Sequence, residues 1–300
     1  MATTISNLTE AQVDESVIAG LRLALPMLSA FSYKIDAGEA IKNNVTRVPL
    51  AVDPTEGAKT AGTLISGSGS LTGVDVTLDQ FRGAGWDAKE GEVSAIQLPT
   101  YWADKLKGAA YVSVKRAVDQ VLSLITAANF GNTSADKYTV AAADFGQDDA
   151  ANLWALAETK IMNQEKAFLM NTSYAAALFG TSSLANVYAA NGNNFLESGK
   201  LPRFLSLNQM YYPAFPNNGE NLGGAVIGRG ALAVAFARPS MLMQAGEGNI
   251  VERRVITDPD TGLSLLYTVT ADGGGTMAGE VCLLYGYAKA QNAVVRLCTA

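Results

Sequence analysis

One run of the sequence, residues 100–129, constrains the fold more than any other. Its large and small apolar side chains recur every three or four residues, which is the period of one face of an α-helix. The members of this stripe are Trp102, Leu106, Ala110, Val114, Val118, Val121 and Ile125. Pro99-Thr100 predicts where the helix begins, and Asn129-Phe130-Gly131 predicts where it ends. At a rise of about 1.5 Å per residue, such a helix spans about 45 Å.

A helix of this length with one apolar face favours a spine that has a sheet packed along it. The alternative is a member of a helix bundle, but no comparable partner helix follows in the sequence. Strand-like and short helical patterns occupy the rest of the chain. The predicted fold class is therefore α+β.

A second amphipathic helix is predicted before the spine, over residues 9–25. Thr9-Glu10-Ala11-Gln12 fits a capping box, and Pro26 predicts the end of the helix. The apolar face of this helix contains Val13, Val17 and Leu21. A short amphipathic helix that stands apart from the spine predicts an arm that docks on something else.

Two strand-like runs with a glycine-rich stretch between them follow the arm. Arg47 to Val52 and Val74 to Phe81 alternate as strands, with Pro49 at an edge position. Residues 57–73 hold five glycines and few large apolar side chains. The pattern predicts an extended hairpin whose tip rests on a neighbouring subunit. A dinucleotide-binding loop is not predicted at 67–73, because the glycine spacing is one residue too long and no helix follows.

The second half of the chain predicts a mixed helix and strand unit that ends in strands. Helices are expected at 147–163 and 173–179, with a strand at 167–170 between them. The apolar run at 223–238 predicts a buried strand that continues into a short helix. A hairpin is predicted from Val251 to Thr270 around the turn Asp258-Pro259-Asp260-Thr261-Gly262. Closing strands are expected at 280–287 and 293–298.

The composition excludes several classes of function. The chain has no histidine, so Ser–His–Asp catalysis, Cys–His catalysis and histidine-ligated metal sites are ruled out. The 28 acidic and 22 basic residues give a net charge of −6, which disfavours a nucleic-acid-binding protein, because binding of phosphates needs clustered Lys and Arg. Cys282 and Cys298 lie in apolar strand-like runs and are interpreted as buried free thiols. No secretory signal and no membrane-spanning window is found.

The close carboxylate pairs are Asp148 with Asp149 and Asp258 with Asp260. They leave open a carboxylate-dependent hydrolase, and the second pair leaves open a calcium site. Both pairs also fall where acids serve structure, at a predicted helix start and in a predicted turn. The turn lacks the ligand spacing of an EF-hand. The sequence therefore predicts no catalytic residue, no cofactor and no metal site.

Several segments, in this order, resemble the major capsid (coat) proteins of tailed bacteriophages, which have the Hong Kong phage-type capsid fold. The resemblance covers nearly the whole chain and rests on the order of the segments more than on any one of them. Its most family-like segments are Gln97 to Trp102, Leu124 to Gly131, Asn152 to Leu156, Lys166 to Asn171, Ser173-Tyr174 and Gly224 to Pro239.

The resemblance implies a division of the chain and a function. Residues 1–45 would be the N-arm with the entry to the peripheral domain, and 46–98 the extended E-loop. Residues 99–140 and 247–300 would form the peripheral domain, and 141–246 the axial domain. The implied function is an icosahedral phage head, built from hexamers and pentamers around double-stranded DNA. The implied location is the virion, assembled in the host cytoplasm, with no membrane partner and no enzymatic activity.

The resemblance also implies partners and leaves alternatives. A portal, cement or decoration proteins and packaged DNA, contacted without sequence specificity, are the expected partners besides copies of the chain itself. The arm begins almost at Met1, so scaffolding would come from a separate protein or not be needed. In some members of this family a lysine forms an isopeptide cross-link between subunits, and Lys59 is the hairpin lysine in the corresponding place. The alternative interpretation is that Lys59 is a solvated loop residue. An encapsulin-like nanocompartment that encloses cargo enzymes is the alternative use of the same fold.

Overall fold

The computed structural model describes residues 8–28, 30–36, 44–50, 73–94, 97–161, 164–180, 207–240, 249–272 and 274–300. The helices are α1 (Glu10–Leu28), α2 (Leu98–Leu122), α3 (Ala127–Phe130), α4 (Gln147–Lys160) and α5 (Thr172–Gly180). The first strands are β1 (Ser32–Asp36), β2 (Val45–Pro49), β3 (Gly73–Thr77), β4 (Gln80–Lys89), β5 (Lys137–Thr139), β6 (Lys166–Met170) and β7 (Asn208–Tyr211). The remaining strands are β8 (Leu222–Gly228), β9 (Leu232–Ala237), β10 (Ile250–Thr257), β11 (Ser264–Ala271), β12 (Thr276–Lys289) and β13 (Val294–Cys298).

The first sheet is organised around β12, in the order β1-β9-β12-β11-β10. The first part of β12 pairs with both β11 and β4, and its last part pairs with β9. All of these pairs are antiparallel except β1 with β9. The strand β12 thereby joins the two ends of the sheet.

The second sheet has the order β5-β13-β8-β6-β7, and β2 with β3 forms a separate hairpin. In both larger sheets, strands from different predicted domain ranges pair with one another. β9 lies in the range predicted as axial, yet it pairs with β1 and β12 of the first sheet. β5 and β13 lie in the ranges predicted as peripheral, yet β13 connects β5 to β8 in the second sheet. Short links, such as the three residues between β8 and β9, let the chain pass directly from one sheet to the other.

Helix α2 is the predicted spine, and every residue of its apolar stripe is fully buried. It packs against β12 and β4 on one side and against α1 on another. The helix ends at Leu122, earlier than predicted, because Thr126 takes an extended conformation and its side chain caps α3 by accepting the Asn129 amide hydrogen. Ile125 stays in the core although it follows the last turn of α2.

Helix α1 begins with the predicted capping box, in which the Gln12 amide donates to Thr9 Oγ1 and the Thr9 amide donates to Gln12 Oε1. Its apolar face is buried in the core that α2 shares, so the prediction that this helix docks elsewhere is wrong. A Cβ atom at Gly20 would lie 2.1 Å from the Lys107 carbonyl oxygen, which means that the two helices touch backbone to backbone. Helix α1 also continues past Pro26 to Leu28, whose buried side chain offsets the one missing hydrogen-bond donor.

Two strand predictions needed correction. The run predicted as one strand at 74–81 is split, because β3 ends at Thr77 and β4 begins at Gln80 and continues to Lys89. The run predicted as a strand and then a helix at 223–238 forms two strands, β8 and β9. Alanine favours helices in isolation, but β9 is hydrogen-bonded on both edges and completely buried, and this environment overrides the local preference.

The burial of the α2 stripe gives a matched pair of substitutions on one helix. Val118 is 0% exposed, whereas Val112 is 49% exposed. We expect Val118→Asp to lower the free energy of unfolding by about 3 kcal/mol or more, because it buries an unpaired carboxylate. Val112→Asp should cost about 1 kcal/mol or less. Urea unfolding monitored by circular dichroism measures both, and equal effects would contradict the placement of the stripe.

Candidate assembly site at the hairpin base

The predicted hairpin is present, and its base is fixed to the first sheet. Strands β2 and β3 pair in antiparallel register from Val45 with Thr77 to Pro49 with Gly73. Their buried side chains form a small apolar cluster of their own, separate from the main core. The cluster contains Val48, Val76 and Leu78 of the hairpin with Ala233, Ala235 and Ala237 of β9.

Small residues on β9 and β12 allow this close contact. Alanine occupies every second position of β9 on the side that faces the hairpin. On β12, a Cβ atom at Gly286 would lie 2.0 Å from the Thr77 carbonyl oxygen. A side chain there would push β3 away from the sheet. The sequence analysis did not single out these residues, although the alternating alanines were the available signal.

Polar contacts also hold the base. The Leu78 amide donates to the Asn44 carbonyl oxygen at 2.7 Å, and Lys34 Nζ donates to Thr46 Oγ1 at 3.1 Å. The Arg47–Asp75 pair is 4.0 Å apart with both side chains mostly exposed, so it contributes little. The base is therefore held mainly by the apolar cluster. Lys59 and the glycine-rich stretch from Gly57 lie outside the described residues, except Gly73 at the start of β3.

The first carboxylate pair stabilises the start of α4. Asp149 accepts hydrogen bonds from the Gly146 amide at 2.9 Å and from the Tyr138 hydroxyl at 2.7 Å. Asp148, in the first turn of the same helix, is exposed. Asp149 therefore serves the start of the helix, where the sequence predicted a structural role.

The second carboxylate pair holds the turn between β10 and β11 and binds Arg22 of α1. Asp258 is completely buried, and its carboxylate lies 2.8 Å from Arg22 Nη2 and accepts a hydrogen bond from Thr261 Oγ1 at 2.7 Å. Asp260 contacts the same guanidinium. Burial raises the pKa of Asp258, but the hydrogen bonds from Arg22 and Thr261 outweigh it and lower the pKa overall. Both carboxylates of this turn therefore pair with Arg22.

The two thiols are placed where reactivity is low. Cys298 is buried and Cys282 is partly buried. Burial raises the pKa of Cys282 to about 11 and also raises the pKa of Cys298. Within the described part of the chain, no three acidic or cysteine side chains come together as metal ligands.

A groove of about 560 Å³ crosses β4, β12, β11 and β10 of the first sheet. Its lining includes Arg253, Thr268 and Thr270, and Glu280 is the one carboxylate among the described lining residues. None of the helices in the described ranges has the length and apolarity needed to cross a lipid bilayer.

The architecture was compared with known proteins. No protein-family model and no curated protein matches the sequence. Solved structures do match, among them the capsid of Ralstonia phage GP4, at 11% identity and a TM-score of 0.54, over 89% of this chain and 86% of that one. The acid-stable capsid of Helicobacter pylori bacteriophage KHP30 matches at 12% identity and a TM-score of 0.53, over 90% and 88% of the two chains. The capsid of cyanophage P-SCSP1u matches at 11% identity and a TM-score of 0.52, over 91% and 87%.

This chain has the bacteriophage capsid fold. The predicted α+β class and the resemblance to tailed-phage capsid proteins are thereby confirmed. Within this capsid fold, α2 is the long helix that packs against the first sheet, and the base of the β2–β3 hairpin packs in a cluster separate from the main core.

The contact at Gly286 predicts a local weakening of the hairpin base. We expect Gly286→Ala to lower the free energy of unfolding by about 1–3 kcal/mol, because the new Cβ atom overlaps the Thr77 backbone. Gly85→Ala in β4 is the control, since its nearest atom lies at 3.3 Å, and it should cost about 0.5 kcal/mol or less. Amide exchange at Val48 and Val76 should also rise in Gly286→Ala. Unchanged exchange there would contradict the contact.

Proposed function

We propose that this protein is the structural major capsid protein of a tailed bacteriophage. The observation that supports the proposal is the fold match to solved phage capsids over about nine-tenths of the chain. In this proposal the subunits assemble as hexamers and pentamers into an icosahedral head around double-stranded DNA. The role is structural and not enzymatic, and the protein is part of the virion after assembly in the host cytoplasm.

The physical features of the chain suit such a shell. Only 17% of the residues are charged, which lets large surfaces of neighbouring subunits pack closely. A closed shell also needs contacts that join different surfaces of identical subunits. The hairpin base is held by a small apolar cluster of its own, so the hairpin is able to make such a contact while the packing of the main core stays unchanged. We propose that residues 46–98 form this contact as the E-loop.

The same proposal assigns the remaining segments and partners. Residues 99–140 and 247–300 form the peripheral domain in this proposal, and residues 141–246 form the axial domain around the pentamer and hexamer centres. A separate scaffolding protein, a portal and cement proteins are the proposed partners besides DNA. With a net charge of −6, the protein is expected to bind the packaged DNA only weakly at the inner wall of the shell.

Electron microscopy of the purified protein tests the proposal. We expect closed icosahedral shells with hexamer and pentamer units. Dispersed monomers under all assembly conditions would contradict a coat function. The nucleic-acid content of shells isolated from their native source separates the two uses of the fold, because a phage head holds a DNA genome whereas an encapsulin-like compartment holds cargo protein.

We expect the hairpin tip to be needed for assembly of the shell but not for folding of the subunit. Replacement of residues 57–72 by a short turn should leave a folded subunit with a nearly unchanged melting temperature, because the base cluster stays intact. The replaced segment contains four glycines, and ordering them is costly in conformational entropy, so the tip is expected to become ordered only against a neighbouring subunit. The shortened subunit should therefore fail to form stable shells in electron micrographs.

Hydrogen exchange provides the independent check on the tip. Amides of 57–72 should exchange fast in free subunits and slowly in assembled ones. Normal shells from the shortened chain, or equal protection in both states, would overturn the role of the hairpin in assembly.

A further inference from the structure

Strand β4 has a long edge that the subunit leaves open. It pairs with β12 over all ten of its residues, from Gln80 to Lys89, without a bulge. Within the described ranges, no strand pairs with its other edge. Because backbone groups alternate in direction along a strand, about half of the residues of β4 point their N–H and C=O groups away from β12. The Tyr101 hydroxyl donates to one carbonyl oxygen of the strand, that of Asp87, at 2.7 Å.

The other edge strands of the two larger sheets are short or interrupted, whereas β4 is neither. β1, β5 and β7 have five residues or fewer. β10 has a bulge at Val251 and is contacted by α1 through the Arg254–Asp14 pair. β4 has no bulge and no proline, and most of its residues from Phe81 to Lys89 are exposed. A long, straight and exposed edge is a template for pairing with another strand.

The occupant that fits this edge is β4 of a second copy of the chain. Among the described strands, β4 alone offers ten residues of open edge, so its full length is matched only by itself. Two copies of one strand pair antiparallel about a twofold axis, which makes the contact self-complementary. A register centred on Ala84 places Gly83 opposite Gly85, where no side chain obstructs the approach. The same register places the exposed Lys89 opposite the exposed Asp79 of the other copy.

Helix α2 has an exposed apolar side chain on the same side of the subunit. Tyr101 and Val112 are eleven residues apart, which is about three helical turns, so they share one face of α2. Tyr101 reaches the Asp87 carbonyl oxygen of β4, and this face therefore lies beside β4. Val112 is 49% exposed on that face.

The position of Val112 along the sheet agrees with the register. Its neighbour Ser113 donates through Oγ to the Val281 carbonyl oxygen, and Val281 pairs with Ala84. Val112 thus lies at the level of Ala84. A twofold axis at Ala84 brings the Val112 side chains of the two copies toward each other, so the contact covers apolar surface as well as backbone groups.

We propose that β4 forms a twofold interface, in which two copies of this chain join their first sheets into one antiparallel sheet by β4–β4 pairing centred on Ala84. This inference rests on the proposed function, because it gives β4, within residues 46–98, its partner in an assembly of identical subunits. The pairing satisfies outward backbone groups of both strands, forms a Lys89–Asp79 ion pair on each side of the axis and covers both Val112 side chains.

A cysteine at the axis tests the pairing in the full-length chain. Directly opposite residues of an antiparallel pair have Cα atoms about 4.5–5.5 Å apart, which suits a disulfide. Under a copper–phenanthroline oxidant, we expect Ala84→Cys to give at least about tenfold more cross-linked dimer on a non-reducing gel than Gln80→Cys. Gln80 is the matched control, because it is also half-buried in β4, yet its two copies lie about 27 Å apart in this register. The unmodified chain reports any cross-link through Cys282 or Cys298.

Val112 supplies a second measurement, because substitution at this exposed position leaves the folding of the free subunit largely unchanged. Val112→Asp in the Ala84→Cys chain should lower the dimer yield about fivefold, since two carboxylates would face each other at the axis. Val112→Thr keeps the shape without the charge and should keep the yield. Circular dichroism of each variant confirms that it is folded.

The outcomes separate the interface from the coat function. Equal dimer yields from Ala84→Cys and Gln80→Cys, or a yield that Val112→Asp leaves unchanged, would overturn the β4 pairing. Closed shells whose Ala84→Cys subunits stay monomeric on the gel overturn the pairing and leave the coat function standing. A cross-link at Ala84→Cys without shells supports the pairing and contradicts the coat function.

Discussion

Burial of one face of α2 is the interaction on which the other parts of the structure depend. The helix is completely covered along its stripe by the first sheet and by α1. Two polar groups of α2 are paired across the contact: Trp102 Nε1 donates to the Tyr267 hydroxyl at 2.9 Å, and Ser113 Oγ donates to the Val281 carbonyl oxygen at 3.0 Å. These bonds fix the rotation of α2 relative to β11 and β12, so that the apolar stripe has one position along the sheet.

A buried arginine joins the end of the spine to the second sheet. Arg296 of β13 is 1% exposed and pairs with Glu220, which in turn accepts the Ala127 amide hydrogen at the start of α3. Arg296 Nη2 also donates to the Gly131 carbonyl oxygen at 2.6 Å. Removal of the Glu220 carboxylate would leave the buried Arg296 guanidinium without its counter-charge, which is costly. The network therefore connects the turn after α2, the loop before β8 and the last strand into one unit.

The hairpin and the N-terminal helix are attached to this unit in different ways. The hairpin base rests on alanines through a small apolar cluster, with its polar contacts at the margin. Helix α1 combines an apolar face against α2 with arginine–carboxylate contacts at both ends, through Arg22 and Arg254. Apolar contacts do not titrate, whereas ion pairs depend on pH and are screened by salt.

The sequence by itself determined the elements whose periodicity is strong and local, namely the spine stripe through Val118, the capping box at Thr9 and the hairpin around Asp258. It also determined that the close carboxylates belong to a helix start and a turn. The tertiary structure decided what the pattern left open. β9 became a strand because it is buried between β1 and β12, and α1 docked on α2 because Gly20 permits backbone contact. The contact of Arg254 with Asp14 joins residues about 240 positions apart, and long-range placement of this kind is set by the packing of whole elements and not by any local pattern.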